Sequence, residues 1–256
     1  MSNTTFIGYS TILRKETVRI FRIWKQTILP SVVSQTLYFA IFGGIIGSRI
    51  GSMNGMSYGA FLVPGLVMMS AITNAFSNVA SSFFGAKFQR SIEEILVSPL
   101  KPWAMLAGYV SGGIVRGVTV ATAIFVTSIF FVTPHISHIL PLLFFLLMTC
   151  IIFSLLGFLN ALFAKKFDDV GIVPTFVLTP LTYLGGVFYQ LDALPPFWRS
   201  ISFLNPVVYM IDGFRYGFSG IASTSPLLSG CAITLLAIIL LVANLVLLKK
   251  GTGLKT

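Results

Sequence analysis

The sequence has few charged residues. Asp, Glu, Lys and Arg together make up 9% of the 256 residues, whereas hydrophobic residues make up 55%. Ordinary soluble domains carry roughly a quarter charged residues, because a folded chain needs a polar surface in water. The composition therefore excludes a soluble globular protein and predicts an all-α polytopic membrane protein.

Motifs for energy conversion and catalysis are also absent. No G-x-x-x-x-G-K-[ST] loop occurs, and Gly85-Ala86-Lys87 lacks the upstream glycine and the following hydroxyl residue. No G-x-S-x-G or H-E-x-x-H motif is present. We expect no enzymatic activity and no cofactor in this chain. His135 and His138 have a possible metal spacing but no third ligand nearby, so no metal site is predicted.

The acidic residues avoid the apolar runs, which weakly disfavours ion-coupled transport. Cys150 and Cys231 fall inside apolar runs and predict no disulfide framework. The first 26 residues lack the apolar core and small-residue cleavage site of a removable signal peptide.

Six apolar segments are candidates for membrane spans, since a spanning helix needs roughly 20 mostly apolar residues. The fifth is the shortest and contains Pro174, Pro180, Gly185 and Gly186, which bend or interrupt a helix. We treat the chain as one domain, residues 1–256. The predicted spans are 28–50, 59–84, 103–132, 139–164, 170–189 and 227–248.

Basic residues predict the orientation of these spans, because Lys and Arg concentrate in short cytosolic loops. Thirteen of the seventeen lie in the amino-terminal segment, the loops after spans two and four, and the carboxy-terminal tail. Both termini are therefore expected in the cytosol. The basic residues form no stripe of the kind that binds nucleic acid, so none is expected as a partner.

Residues 1–27 predict a cationic amphipathic helix at the cytosolic membrane interface. Leu13, Thr17, Ile20, Phe21 and Trp24 share one face of a helical wheel, and basic residues share the other. The apolar face is expected to insert among lipid acyl chains. A docking surface for a cytosolic protein is the alternative.

The cytosolic loop 85–102 contains a second short helix. Ser91 and Glu94 have the spacing of a capping box, which predicts that a helix begins there. Ile92, Ile95, Leu96 and Pro99 form an apolar stripe outside the membrane. The stripe either packs against the protein's own cytosolic ends or inserts into a groove of another protein.

Residues 190–226, between spans five and six, are long for a loop. The segment 206–218 is apolar but suits a re-entrant helix better than a crossing. We expect an outer re-entrant hairpin, which either gates a path or acts as a structural cap.

Arg116 is the only charged residue well inside a predicted span. Gly108 and Gly112 share its helical face, which predicts close helix contact. Arg116 either lines a transport path or extends to the cytosolic headgroups, and the sequence leaves both alternatives open.

Several runs of residues resemble the permeases of the ABC-2 type transporter family. They are Thr179-Pro180-Leu181-Thr182-Tyr183-Leu184-Gly185-Gly186-Val187-Phe188-Tyr189, Leu194-Pro195-Pro196, Asn205-Pro206-Val207-Val208-Tyr209 and Gly213-Phe214-Arg215-Tyr216. The likeness covers nearly the whole chain, including Pro64-Gly65 and the segment from Phe84 to Pro99.

The resemblance implies an export permease of six spans in a bacterial inner membrane. It implies a homodimer that works with two copies of a separate ATP-binding subunit, where ATP and Mg are bound. The cargo is expected to be amphipathic: a lipid-linked saccharide, a lipid or a drug. An ATP-independent carrier or channel is the alternative.

The same resemblance assigns roles to the ambiguous segments. The short loop helix becomes the contact that couples the permease to the ATPase, with Ser91, Ile92, Glu93, Glu94, Ile95 and Leu96 as candidates. The re-entrant segment becomes the outer gate, with Pro195, Pro196, Asn205, Pro206, Tyr209, Gly213 and Arg215 as candidates.

Overall fold

The computed structural model describes residues 2–50, 52–53, 55–133 and 136–253, and this part of the chain is helical nearly throughout. Two π-helical segments, Phe39–Ile46 and Pro174–Leu178, follow directly after the α-helices Leu29–Tyr38 and Phe167–Val173. The helices are α1 (Ser2–Arg22), α2 (Trp24–Thr27), α3 (Leu29–Tyr38), α4 (Gly47–Ile50), α5 (Tyr58–Phe88), α6 (Ile92–Val97), α7 (Pro102–Ser128), α8 (Ile139–Phe163), α9 (Phe167–Val173), α10 (Thr179–Tyr183), α11 (Pro196–Ser202), α12 (Pro206–Ser219) and α13 (Pro226–Lys250).

Two short strands form the only sheet in the described part of the chain. Strand β1 (Ser52–Met53) pairs antiparallel with β2 (Met56–Ser57), and Ser52 lies opposite Ser57. The Ser57 side chain then accepts a hydrogen bond from the backbone N–H of Ala60 and caps the start of α5.

Five helical segments are long and apolar enough to cross a membrane, in agreement with five of the predicted spans. They are Trp24–Ile46, Tyr58–Phe88, Pro102–Ser128, Ile139–Phe163 and Pro226–Lys250. The largest differences from the predicted limits are of four residues: the first span starts and ends four residues earlier, α5 extends to Phe88, and α7 ends at Ser128.

The predicted span 170–189 does not form one continuous α-helix. Helix α9, a π-helical segment and α10 follow one another and end at Tyr183, and turns follow. Pro174 and Pro180 lack the N–H that an α-helix uses, and Gly186 turns the chain with a φ of +78°. The structure contains five segments that are long and apolar enough to span a membrane, and the sixth span stays a prediction.

Helix α5 is the central helix. Phe61, Leu66, Phe76 and Phe83 have no more than 1% of their surface exposed, and α5 packs against both α7 and α8. Hydrophobic burial of these large side chains along most of a 31-residue helix makes α5 the element around which the others assemble.

The amino-terminal helix leaves part of its predicted lipid-inserting face open and packs on the bundle along the adjoining edge. Phe21 and Trp24 are about half exposed, while Ile12, Glu16 and Ile20 are buried. Glycines of α7 explain this register, because a Cβ atom at Gly112 would lie 2.6 Å from Cβ of Glu16. Helix α1 therefore packs on the bundle along its Ile12 to Ile20 edge.

Lysines mark one end of the bundle. Lys87 lies near the end of α5, Lys101 immediately before α7, Lys165 after α8 and Lys249 at the end of α13. We call this the basic end; it corresponds to the predicted cytosolic side. The turn between β1 and β2 and the segment that contains α11 and α12 lie in the connections at the opposite end.

Candidate functional site

Helix α6 presents a mixed apolar and acidic surface at the basic end. Ile92 is only 2% exposed and anchors the helix, whereas Val97 is 86% and Leu96 45% exposed. Glu93 and Glu94 lie in the first turn and are exposed. Because acidic side chains are favoured at a helix N-terminus, they also stabilise this six-residue helix.

The helix starts as predicted, but the capping box is absent. Ser91 has helical backbone angles and makes no side-chain cap, and its hydroxyl donates instead to the carbonyl of Ala86 at 3.2 Å. Arg90, immediately before, has a φ of +59°. This left-handed residue turns the chain sharply out of α5, so Ser91 lies beside the end of α5 rather than in a cap position.

Lys87 donates hydrogen bonds to carbonyl groups at the end of the neighbouring helix α8. Its Nζ donates to the carbonyls of Ala161, Leu162 and Ala164 at 3.2, 2.9 and 2.9 Å. The last carbonyls of a helix have no partner within the helix and carry a partial negative charge, so the ammonium group stabilises them. The sequence indicated only an orientation signal here and missed this contact.

Arg116 is held inside the bundle by an amide. Its Nε donates to Oδ1 of Asn74 on α5 at 3.1 Å, and the Nδ2 of Asn74 donates to Oγ of Ser31 at 3.0 Å. The described ion pairs do not involve Arg116. The side chain thus joins α7 to α5 and, through Asn74, to α3.

One turn away lies a buried ion pair that sequence reasoning missed. Glu16 is fully buried, and its carboxylate accepts from Arg19 Nη2 at 2.7 Å, from Ser82 Oγ at 2.6 Å and from Asn78 Nδ2 at 3.3 Å. Arg19 also donates to Oδ1 of Asn78 at 2.9 Å. We call Glu16, Arg19, Asn78 and Ser82 the α1 clamp.

A pattern in the sequence points to the α1 clamp. Asn74, Asn78 and Ser82 recur every four residues on one face of α5, within a predicted span. Gly108 and Gly112 on α7 have the same spacing. Polar side chains within a span require partners, so this face predicts a polar contact with another helix.

The exposed edge of α5 carries hydroxyl groups. Thr73 and Ser81 are exposed and Ser77 is half-buried, at a spacing of four residues. By contrast, the exposed face of α13 carries aliphatic residues such as Leu235, Ile239 and Val242. The hydroxyls of Thr73 and Ser81 donate to the carbonyls of Met69 and Ser77 on the same helix at 2.9 and 2.6 Å, so this edge consists of small side chains whose polar groups are bonded within α5.

The predicted outer motif forms two helices, α11 and α12, joined by a turn. Asn205 caps α12 by accepting from the N–H of Val207 at 3.0 Å, and its Nδ2 donates to the carbonyl of Leu181 at 2.7 Å. Pro206 occupies the first turn of α12, where no N–H is needed. Tyr209 donates to the carbonyl of Phe203 at 2.9 Å.

Arg215 and Gly213 fix α12 in the bundle. Arg215 Nη2 donates to the carbonyl of Gly186 at 2.8 Å, and its guanidinium lies 4.0 Å from the centre of the Phe61 ring. Gly213 contacts the ring of Phe145 so closely that a side chain there would clash. Through Arg215 and Gly213, α12 is therefore fixed to the turn after α10, to α5 and to α8.

The remaining outer candidates lie at the surface. Pro195 and Pro196 introduce α11, whose Arg199 pairs with Asp192 at 2.6 Å on an exposed face. The described residues contain no cluster of His, Cys, Asp or Glu that would hold a metal ion, and His135 lies outside them.

A profile of the ABC-2 type transporter family matches residues 8–219, which is most of the chain. The chain belongs to the ABC-2 type transporter family. The match includes most of α1 and all of α6 and α12, so the α1 clamp, the coupling candidates and the outer motif all lie within it. The chain is accordingly a transport permease of the membrane rather than an enzyme.

Two named relatives give the range of similarity. The chain is 57% identical over 221 residues to the inner membrane transport permease YadH of Escherichia coli K12, covering 86% of each chain. It is 26% identical over 202 residues to nodulation protein J of Rhizobium leguminosarum bv. viciae, covering 77% of this chain and 78% of the relative.

Proposed function

We propose that this permease is the membrane subunit of an ATP-driven exporter in a bacterial inner membrane, with both termini in the cytosol. It moves an amphipathic molecule, such as a lipid-linked saccharide, a lipid or a drug, out of the cytosol. Membership of the family and the inner-membrane name of a relative support this proposal.

Helix α6 is the proposed contact with a separate ATP-binding subunit, and its exposed surface is the observation that carries the proposal. Ile92 fixes the helix to the bundle, while Leu96, Val97 and the two glutamates remain exposed. An exposed apolar pair beside acidic groups fits a groove with apolar and basic lining. ATP and Mg would be bound in that subunit, and closure of its dimer would push on α6.

Two copies of the permease and two of the ATP-binding subunit form the proposed complex. The hydroxyl edge of α5 is the proposed contact with a second copy, because small hydroxyl residues permit the close helix packing found between helices in membranes. The path for cargo then runs between the copies, along Thr73, Ser77 and Ser81. Helices α11 and α12 would form its outer gate.

The test of the contact is Val97→Lys, made in the full chain and expressed with its ATP-binding subunit. Val97 is 86% exposed at the end of α6, so the substitution leaves the fold intact and puts a charge where an apolar contact is proposed. Loss of Val burial at an interface costs about 1.5 to 3 kcal/mol. We expect at least a tenfold loss of co-purified ATPase.

The matched control is Asp168→Lys, another exposed site at the basic end, which should keep the subunit bound. Equal binding by Val97→Lys and the unchanged chain would contradict the contact. Transport in proteoliposomes without the ATP-binding subunit would instead favour the ATP-independent carrier or channel.

A further inference from the structure

A cavity lies between the start of α1 and the start of α7, at the basic end. Its volume is about 600 Å³, and Lys101, Trp103, Phe6, Tyr9 and Ser111 are among its lining residues. The hydroxyls of Tyr9 and Ser111 are 3.1 Å apart, and Lys101 is exposed. The cavity therefore combines one cation, hydroxyl groups and aromatic rings.

The charge of this cavity is positive. Its lining includes no acidic residue, and both ion pairs among the described residues involve other cations, Arg19 and Arg199. An ammonium group with adjacent hydroxyls suits a phosphate oxygen. Trp103 is 51% exposed, and a tryptophan in this position is typical of the membrane headgroup level.

An apolar groove continues from the cavity. It has a volume of about 500 Å³ and lies between α7, α8 and α13, and Trp103, Ala107 and Ser111 line both spaces. Along α7 it extends from Trp103 to Ile114. At 1.5 Å per residue this is roughly 16 Å, about half of the hydrocarbon thickness of a bilayer.

We propose that the cavity and the groove together bind one anionic phospholipid of the inner leaflet. The phosphate contacts Lys101 at the level of Trp103, and an acyl chain follows the groove past Ser111 to the bilayer midplane. Three observations match a phospholipid rather than a free anion or a protein segment. They are the residues that line both spaces, the single cation at the headgroup level and the length of the groove.

This lipid is separate from the cargo of the proposed exporter. At 100° per residue, the groove face of α7 at Ala107, Ser111 and Ile114 points away from Arg116 and the α5 contact. The site also joins α1 to α7, so bound lipid would hold the amino-terminal helix on the bundle. The inference goes beyond the transport function and does not depend on the ATP-binding subunit.

The experiment uses quenching of Trp103 fluorescence by lipids with brominated acyl chains. The full chain has three tryptophans, and Trp24 and Trp198 are each about half exposed, so Trp24→Phe and Trp198→Phe leave Trp103 as the reporter. The protein is titrated in detergent with brominated phosphatidylglycerol or phosphatidylcholine. We expect phosphatidylglycerol to quench at about fivefold lower mole fraction, as one lysine predicts.

Two substitutions decide the assignment. Lys101→Gln should remove the preference for phosphatidylglycerol, while Lys249→Gln, an exposed lysine at the same end, should keep it. Equal quenching by the two lipids in the parent protein would overturn the proposal, as would identical behaviour of the two variants. Relief of quenching by glycerol 3-phosphate at the same concentration as the lipid would mean that the acyl chain contributes no affinity, which also overturns the proposal.

Discussion

Two ion pairs of nearly equal length should differ greatly in their effect on stability. Glu16 and Arg19 are 2.7 Å apart with side chains 0% and 31% exposed, whereas Asp192 and Arg199 are 2.6 Å apart with side chains 62% and 46% exposed. Burial, and not distance, decides the outcome, because water screens the exposed pair and cannot reach the Glu16 carboxylate.

The magnitude follows from what each substitution leaves behind. Glu16→Ala removes an acceptor of three side-chain hydrogen bonds and leaves Arg19 with only Asn78 among its described partners. Breaking a buried pair from one side costs about 3 to 5 kcal/mol. Because Arg19 is partly exposed, we expect the low end, about 3 kcal/mol. Asp192→Ala should cost less than about 1 kcal/mol.

The assay is thermal unfolding in detergent, followed by the amount of protein that remains monodisperse after heating. For a chain of this size, about 3 kcal/mol corresponds to a fall in Tm of roughly 6 to 12 °C, against at most about 4 °C for Asp192→Ala. The double substitution of Glu16 and Arg19 by Ala should be no worse than Glu16→Ala. Equal shifts for Glu16→Ala and Asp192→Ala would refute the assignment of the α1 clamp.

Three further outcomes follow from the contacts at Lys87, Arg116 and the α5 edge. Lys87→Met leaves three helix-end carbonyls without a donor and should cost about 2 to 4 kcal/mol in unfolding, whereas the exposed Lys249→Met should change stability by less than about 0.5 kcal/mol. Arg116→Ala should lower transport in proteoliposomes and leave assembly with the ATP-binding subunit intact; unchanged transport would favour the headgroup alternative. Ser77→Cys in a cysteine-free background should form a disulfide between two permease copies, and Val242→Cys on the aliphatic face of α13 should not. Absence of the first cross-link would count against α5 lining the dimer interface.

The length of the apolar runs predicted the five segments that are long and apolar enough to span a membrane. It did not show where the helix in segment 170–189, which contains two prolines, is interrupted. A run of apolar residues reports which parts of the chain avoid water, and this sets the limits of α8 and α13 closely. An apolar run does not show whether the backbone hydrogen bonds of an α-helix continue along the whole segment. At Pro174 the helix changes to a π-helical segment, because the proline ring supplies no N–H at that step.

The α1 clamp could not be found from the helical wheel of α1 alone. A wheel assigns Glu16 to a polar position, which is correct in water or at a lipid interface. Its burial depends on a second helix, where Gly112 permits close approach, and on a third, where Asn78 and Ser82 supply donors. The cost of burying the carboxylate is offset only when all three helices meet, so the signal lies in the combination and not in any one segment.

One of the five apolar segments is only modestly apolar and yet largely exposed. This combination bears on the proposed second copy of the permease. Helices α8 and α13 are the most apolar of the five segments, and α13 is largely exposed, as a lipid-facing helix should be. Helix α5 is less apolar, and 83% of an 18-residue apolar stretch within it is buried, as expected of a helix packed among others. The segment Trp24–Ile46 is no more apolar than α5, yet only 11% of its corresponding stretch is buried. Since lipid selects for apolar side chains, a modestly apolar and open helix requires a protein surface over it. In the proposed homodimer, a second permease copy supplies that surface.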